Sequence, residues 1–199
     1  MKIFSGGNTV VLFALFLIIF ISSVIYYALN VKYMNLVYMP ESPIVVDVSG
    51  ITKSEDGCEI EMIKDIKFKA RVLSKVSYRG SKYSDSDHVP YDIVFGWGNL
   101  TDKKYLEKIS ITQNNRYFFY NYDKSIDHSE IIEDFDNFHI INNFEIKNIE
   151  KISKHDNVYV EGYLANMKCK NFSRKSSTSF SDRSSSSCEQ IYITKIIKL

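Results

Sequence analysis

The chain of 199 residues is poor in the residues that build metal clusters, kinks and loops: three cysteines, three prolines, eight glycines and one tryptophan. Its cysteines, Cys58, Cys169 and Cys188, form no Cys-x-x-Cys, no haem-attachment motif and no zinc-like spacing with histidine. That pattern predicts no metal site and no cofactor. Also missing are a Gly-x-Ser-x-Gly elbow, a Ser-x-x-Lys pair and a glycine-rich phosphate loop, which removes the common sequence signatures of serine hydrolases and nucleotide binders. An excess of charge of one sign is absent too. With 25 basic and 24 acidic residues the formal net charge is +1, so the chain lacks the general field that draws nucleic acid, and nonspecific DNA binding is disfavoured. Disorder is excluded by the aromatics, 14% of the chain and spread along its length.

Long hydrophobic runs are equally scarce, except for Thr9 to Leu29, which carries no charged residue. As a helix it would span about 31 Å, close to the roughly 30 Å hydrocarbon core of a bilayer. It exceeds the apolar stretch of a cleaved signal peptide and ends in bulky Ile25, Tyr26 and Tyr27 where a cleavage site needs small residues. The reading is a retained anchor that contacts lipid through residues 9–29, with a short head, 1–8, before it. Tyr26, Tyr27, Tyr33 and Tyr38 suit the headgroup region, or simply reflect the abundance of tyrosine. Flanking charge is weakly asymmetric, Lys2 against Lys32. The short head and long tail favour a single-pass topology, with the N-terminus cytoplasmic and the body extracytoplasmic, as at a bacterial inner membrane facing the periplasm.

After the anchor, 30–64 reads as a stem interrupted by Pro40 and Pro43, with a short strand at Ile44–Val48 and a turn at Asp56-Gly57. Residues 65–199 read as one β domain. Alternation over Ile66–Leu73 predicts a strand, and Tyr91–Gly98 a second. Leu100–Leu106 fits a helical turn with Thr101 as its N-cap. Ile109–Thr112 and Arg116–Tyr122 fit a hairpin turning at Asn114-Asn115. Phe138–Ile141 is a short apolar element, and Ile146, Ile149 and Ile152 share one helical face. Val158–Leu164 and Ile191–Ile197 are the last strands. The expected fold is mainly β with one helix: an N-terminal transmembrane helix followed by an OB-like five-stranded barrel, whose helix falls between the third and fourth strands. A β-sandwich or another small barrel is the alternative.

At Ala70-Arg71-Val72-Leu73-Ser74, Tyr91 to Gly98 with Thr101-Asp102, Ile109 to Gln113 leading into Arg116-Tyr117, Asn137 to Ile141, Val158 to Leu164 and Cys188-Glu189, the chain resembles a family of uncharacterised, membrane-anchored or secreted bacterial proteins. The resemblance covers about residues 66–195 and brings no established activity. Where that family carries a His-Ser pair, a proline and glycines before the last cysteine, this chain has Asp134-Phe135, Asn142 and Ser184 to Ser187.

Candidate ligand-binding residues are Trp97, Arg116, His139, Lys170 and Arg174. Trp97, flanked by Gly96 and Gly98, is either a stacking platform or, the favoured reading, a plug at the end of the barrel. His139 sits in an apolar run, where a histidine is more often a hydrogen-bonded core residue than a catalyst. Lys170, Arg174, Lys175 and Arg183 make the Ser-rich segment between Cys169 and Cys188 basic, suited to an acidic partner or to solubility alone. Those two cysteines flank a long hairpin loop and are expected to form a disulfide, leaving Cys58 as a buried apolar residue or free thiol. Asp85, Asp87 and His88 form a small loop cluster without EF-hand spacing. The leading expectation is an anchored binding or assembly module with a membrane or envelope protein as partner. An anchored hydrolase using His139 or His88 with a carboxylate is the alternative.

Overall fold

A computed structural model describes residues 6–30, 36–143, 146–180 and 189–199; the side chains of the first helix are described over 11–27. The chain divides into two units, Met1–Met34 and Asn35–Leu199. The first holds α1, Gly6–Asn30. Its apolar side chains are exposed on every side, Phe13, Phe16 and Ile19 each by two thirds or more. Among the described residues no helix is long and apolar enough to cross a membrane.

The second unit is mainly β. Its strands are β1 (Ile44–Glu55), β2 (Cys58–Ser77), β3 (Tyr91–Gly96), β4 (Ile109–Asn114), β5 (Tyr117–Tyr122), β6 (Phe135–Ile141), β7 (Asn157–Cys169), β8 (Ser173–Arg174) and β9 (Glu189–Lys198). Residues 44–64, expected to form a stem, therefore belong to the sheet as β1 and the first part of β2. Ahead of them Met39 is buried, and its backbone pairs with Gly98 and with the Thr101 hydroxyl. The 20-residue β2 turns Cys58, Ile60 and Met62 and then Ile66, Phe68, Ala70 and Val72 inward, with Lys64 partly exposed at the bulge between them, and so runs as one strand despite two register shifts.

One edge of β2 pairs with β7 over 58–71, while β1 and then β3 pair along its length. From there β3 pairs with β6, β6 with β9 and β9 with β7, so the ladders β2–β3–β6–β9–β7–β2 form a closed circuit. All are antiparallel except β6–β9, which is parallel. Inside the circuit lies the main core, with Ile66, Phe68, Ile93, Phe95, Phe138 and Val160 among its buried residues. A smaller core around Ile60, Met62, Ala165 and Met167 continues beyond the bulge at Met62/Lys64.

Between β6 and β7 the expected helix is a single 3-10 turn, Lys147–Lys151, with Ile149 and Ile152 in the main core; Phe144 and Glu145 lie outside the described residues. Lys75 holds this turn by donating to the carbonyls of Ile149 (2.6 Å) and Ile152 (2.8 Å), and burial pushes its ammonium pKa down. At the helical turn Lys103–Leu106 (α2), the cap is Asp102, accepting from the Lys104 amide at 2.8 Å, not Thr101, which is buried beneath it.

At Gly162 the backbones of β7 and β9 approach closely. A Cβ there would sit 2.5 Å from the Tyr192 carbonyl oxygen and 3.0 Å from the Ile193 Cα, at the shift in the β7–β9 register. Backbone cannot step aside as a side-chain tip can. Gly162→Ala is expected to destabilise the fold by about 1–3 kcal/mol through overpacking, read as a lower denaturant midpoint. An unchanged or higher midpoint would show that the ladder gives way freely.

Candidate functional site

Every residue of β3 and β6 is buried, which a half-exposed sheet does not produce. Their inner face joins the main core; their outer face carries the opposed pairs Asp92–His139, Val94–Asn137 and Gly96–Phe135. Over that face lies the β4–β5 hairpin. Alternation along β5 turns Phe118 and Tyr120 toward Phe135, with ring centroids 5.8 and 5.0 Å apart, and leaves Tyr117 and Phe119 more than half exposed. Gln113 completes the seal by donating to Asn137 at 2.8 Å.

The hairpin turn, Asn115-Arg116, has φ of 51° and 70°, one residue later than the expected Asn114-Asn115. Positive φ at both positions matches the tight turn that suits strand twist, and asparagine tolerates it well. Arginine does so at a cost. What holds Arg116 there is the destination of its side chain. Its guanidinium donates from Nη1 to Asp92 Oδ1 (2.9 Å) and from Nη2 to Asp85 Oδ1 (3.1 Å), and lies 3.9 Å from the Tyr78 ring centroid. Its amide donates to the Tyr78 hydroxyl at 3.0 Å, and burial pushes that phenol's pKa up.

Two further groups complete the cluster. His139 Nδ1 lies 2.7 Å from the same Asp92 oxygen, and Arg174 on β8 reaches Asp85 Oδ2 at 2.5 Å. The side chains of Arg116, Asp85, Asp92 and His139 are all less than one tenth exposed. Five segments thus meet: the 78–90 loop, β3 which follows it, the hairpin turn, β6 and β8. Two guanidinium groups face two carboxylates, so the cluster balances its own charge and works as a clasp between loops instead of an open anion seat.

Of the sequence-derived candidates, Arg116, His139 and Arg174 come together here and Trp97 and Lys170 do not. Trp97 is fully buried, donating from Nε1 to the Glu133 carbonyl (2.9 Å) and packing edge-on against Phe68 and Phe180. It plugs the core and offers no surface platform. Lys170 is exposed in the bend after β7. Sequence reasoning missed Asp92 and the pairing role of Asp85. The signal was a lone carboxylate inside the apolar run Tyr91–Phe95, since a buried charge needs a cation beside it.

The expected Cys169–Cys188 bridge does not form, because Cys169 is bonded to Cys58, its direct partner in the β2–β7 ladder, with Cα atoms 4.2 Å apart. Cys58 is therefore neither a free thiol nor merely an apolar filler, and Cys188 lies outside the described residues. His88 turns away from Asp85 and Asp87 toward this bond. Neither His139 nor His88 lines the cavity of about 300 Å3 that opens among Arg79, Tyr91, Ile140, Asn143, Ile149 and Ile193.

Compared with known protein families, curated proteins and solved structures, the chain matches none.

Proposed function

We propose that the chain is a single-pass membrane protein holding an OB-like five-stranded barrel outside the cytoplasm, where it binds or assembles with a membrane or envelope protein. The observation that carries this reading is the closed circuit β2–β3–β6–β9–β7, with β6 and β9 parallel and the 3-10 turn between its third and fourth strands. That connectivity is the one expected of an OB barrel, whose ligand face is its second and third strands with the flanking loops. The segments that resemble the membrane-anchored or secreted bacterial family contribute β2, β3, β6 and β7 to the same circuit.

In this chain the corresponding face, β3 and β6, is covered by the β4–β5 hairpin. The surface left for a partner is the hairpin's outer side, where Tyr117 and Phe119 stand among Ser110, Thr112, Asn114 and Asn121, all without charge. An uncharged aromatic surface suits a protein partner better than a phosphate backbone.

The tether is the run 9–29. What supports a tether is that this run carries no charge and that its apolar side chains over 11–27 are exposed, surface that water covers at a cost; the described part of the helix does not by itself reach the length and apolarity of a membrane span. The disulfide supports an oxidising location for the body. For the hydrolase alternative, the His139–Asp92 contact is the favourable observation. Against it, His139 is fully buried beneath the hairpin and Asp92 is shared with Arg116. His88 lines a cavity of only about 10 Å3.

Membrane fractionation and chemical cross-linking test the proposal. The expected result is a chain that resists alkaline extraction, a body cleaved by protease added from outside, and a stoichiometric cross-linked partner. Replacing Tyr117 and Phe119 together by serine should lower partner recovery by about ten-fold or more, the loss of a binding hot spot. A chain washed off by alkali, a protected body or unaltered recovery would each refute it.

A further inference from the structure

At the far end of the β2–β7 ladder a second group of reactive side chains converges, separate from the Arg116 cluster. Cys58 and Cys169 face each other there as a disulfide. His88 turns its Nδ1 to within 3.5 Å of the Cys58 sulfur, and Asp56 Oδ2, from the β1–β2 turn, lies 3.6 Å from the same nitrogen. The histidine is well held: its amide donates to the Asp85 carbonyl (3.0 Å), its carbonyl accepts from the Asn142 amide (2.7 Å), and its ring packs 5.5 Å from Phe172. One ligand atom from each of Cys58, His88 and Cys169 lies within 4.8 Å of the others. Asp56, Cys58 and His88 also line the cavity of about 10 Å3, near the size needed for one water. A more open cleft lined by Asp56, Cys58 and Cys169 leads to solvent.

We propose that, once the disulfide is reduced, Cys58, Cys169 and His88 form a binding site for a thiophilic divalent cation, zinc foremost, with Asp56 or a water as fourth ligand. The geometry argues for it. In a tetrahedral zinc site with Zn–S about 2.3 Å and Zn–N about 2.0–2.1 Å, sulfur and nitrogen stand about 3.5 Å apart, which is the observed Cys58–His88 separation. Two thiolates with a neutral imidazole are also the donor set zinc prefers. On reduction the two sulfurs need only part from bonding distance, since strand pairing keeps their backbones opposite each other.

The chemistry balances. A dithiol or phosphine reductant supplies two electrons, the S–S bond breaks, and two protons complete two thiols; the cation then displaces both protons as the thiolates bind. The site thus has two exclusive states, a covalent bond or a bound metal. Sequence motifs do not reveal it because Cys58 and Cys169 are 111 positions apart and meet only through the ladder.

The test uses the full chain in detergent with Cys188→Ser, so that the third cysteine supplies no thiolate, and cobalt(II) as the probe. Phosphine-reduced protein, freed of reductant, is expected to bind one cobalt per chain. The signature is thiolate-to-cobalt charge-transfer absorption with the visible bands of tetrahedral cobalt, lost on adding zinc. Oxidised protein should show none of this. His88→Ala should still form the disulfide but bind cobalt more than about ten-fold more weakly, a loss that even an outer-shell partner of a metal site can cause. If reduction unfolds the chain, recovery of its far-ultraviolet dichroism on adding zinc supports the site, and persistent unfolding overturns it. Reduced protein that binds no more cobalt than oxidised protein, or His88→Ala binding unchanged, also overturns it.

Discussion

Replacing Arg116 by alanine is expected to lower stability by about 3–5 kcal/mol, the cost of breaking a buried ion pair from one side. Asp92 and Asp85, each less than one tenth exposed, would lose the guanidinium that joins them. Among the described residues Asp92 would keep the His139 contact, and Asp85 that with Arg174 from β8. For a body of this size the loss corresponds to a fall in Tm on the order of 10 °C. Two companion variants separate the causes. Arg116→Gly relieves the left-handed backbone at φ 70° and should cost about 1 kcal/mol less than alanine. Tyr117→Ala, next in the chain but half exposed, should change stability far less. Thermal unfolding of the three variants decides the matter; an Arg116→Ala protein as stable as wild type would mean that the clasp does not hold the hairpin down.

Removing the Cys58–Cys169 bond is expected to have a comparable effect. The two cysteines are 111 positions apart, and cross-linking a loop of roughly 100 residues restricts the unfolded chain by about 4.7 kcal/mol on the chain-entropy account. Most of the circuit, β3 and β6 included, lies within that loop, so its loss should be felt across the whole body. Cys58→Ala with Cys169→Ala should lower the unfolding free energy by that order, read as a lower denaturant midpoint, and reductant should then have no further effect. In the wild-type chain reductant alone should reproduce much of the drop. A midpoint unmoved by either treatment would mean that the bond adds no constraint beyond the β2–β7 ladder.

Much of the scaffold was legible from local pattern. Alternation identified the strand at Ile66–Leu73, because a pleated backbone puts every second side chain on one face regardless of what lies beyond it, and β-forming runs identified those at Tyr91–Gly98, which ends at Gly96, Val158–Leu164 and Ile191–Ile197. The candidate cluster was half legible. Arg116 and His139 stood out in strand-like or apolar company and Arg174 as part of a basic, Ser-rich segment, whereas Asp92 and Asp85 drew no pairing from their neighbours in sequence. Trp97 went to the core because its glycine neighbours serve close packing: a Cβ at Gly96 would strike the Leu73 side chain at 2.6 Å.

By itself, then, the sequence determined an uncharged apolar run and a succession of β-forming segments, properties that depend on residues a few positions apart. Only the tertiary structure decided which cysteine pairs with Cys169, which face the hairpin covers, and where the Arg116 side chain ends. Those outcomes depend on strand register and on the neutralisation of buried charge across segments remote in the chain, and a local pattern carries no information about either.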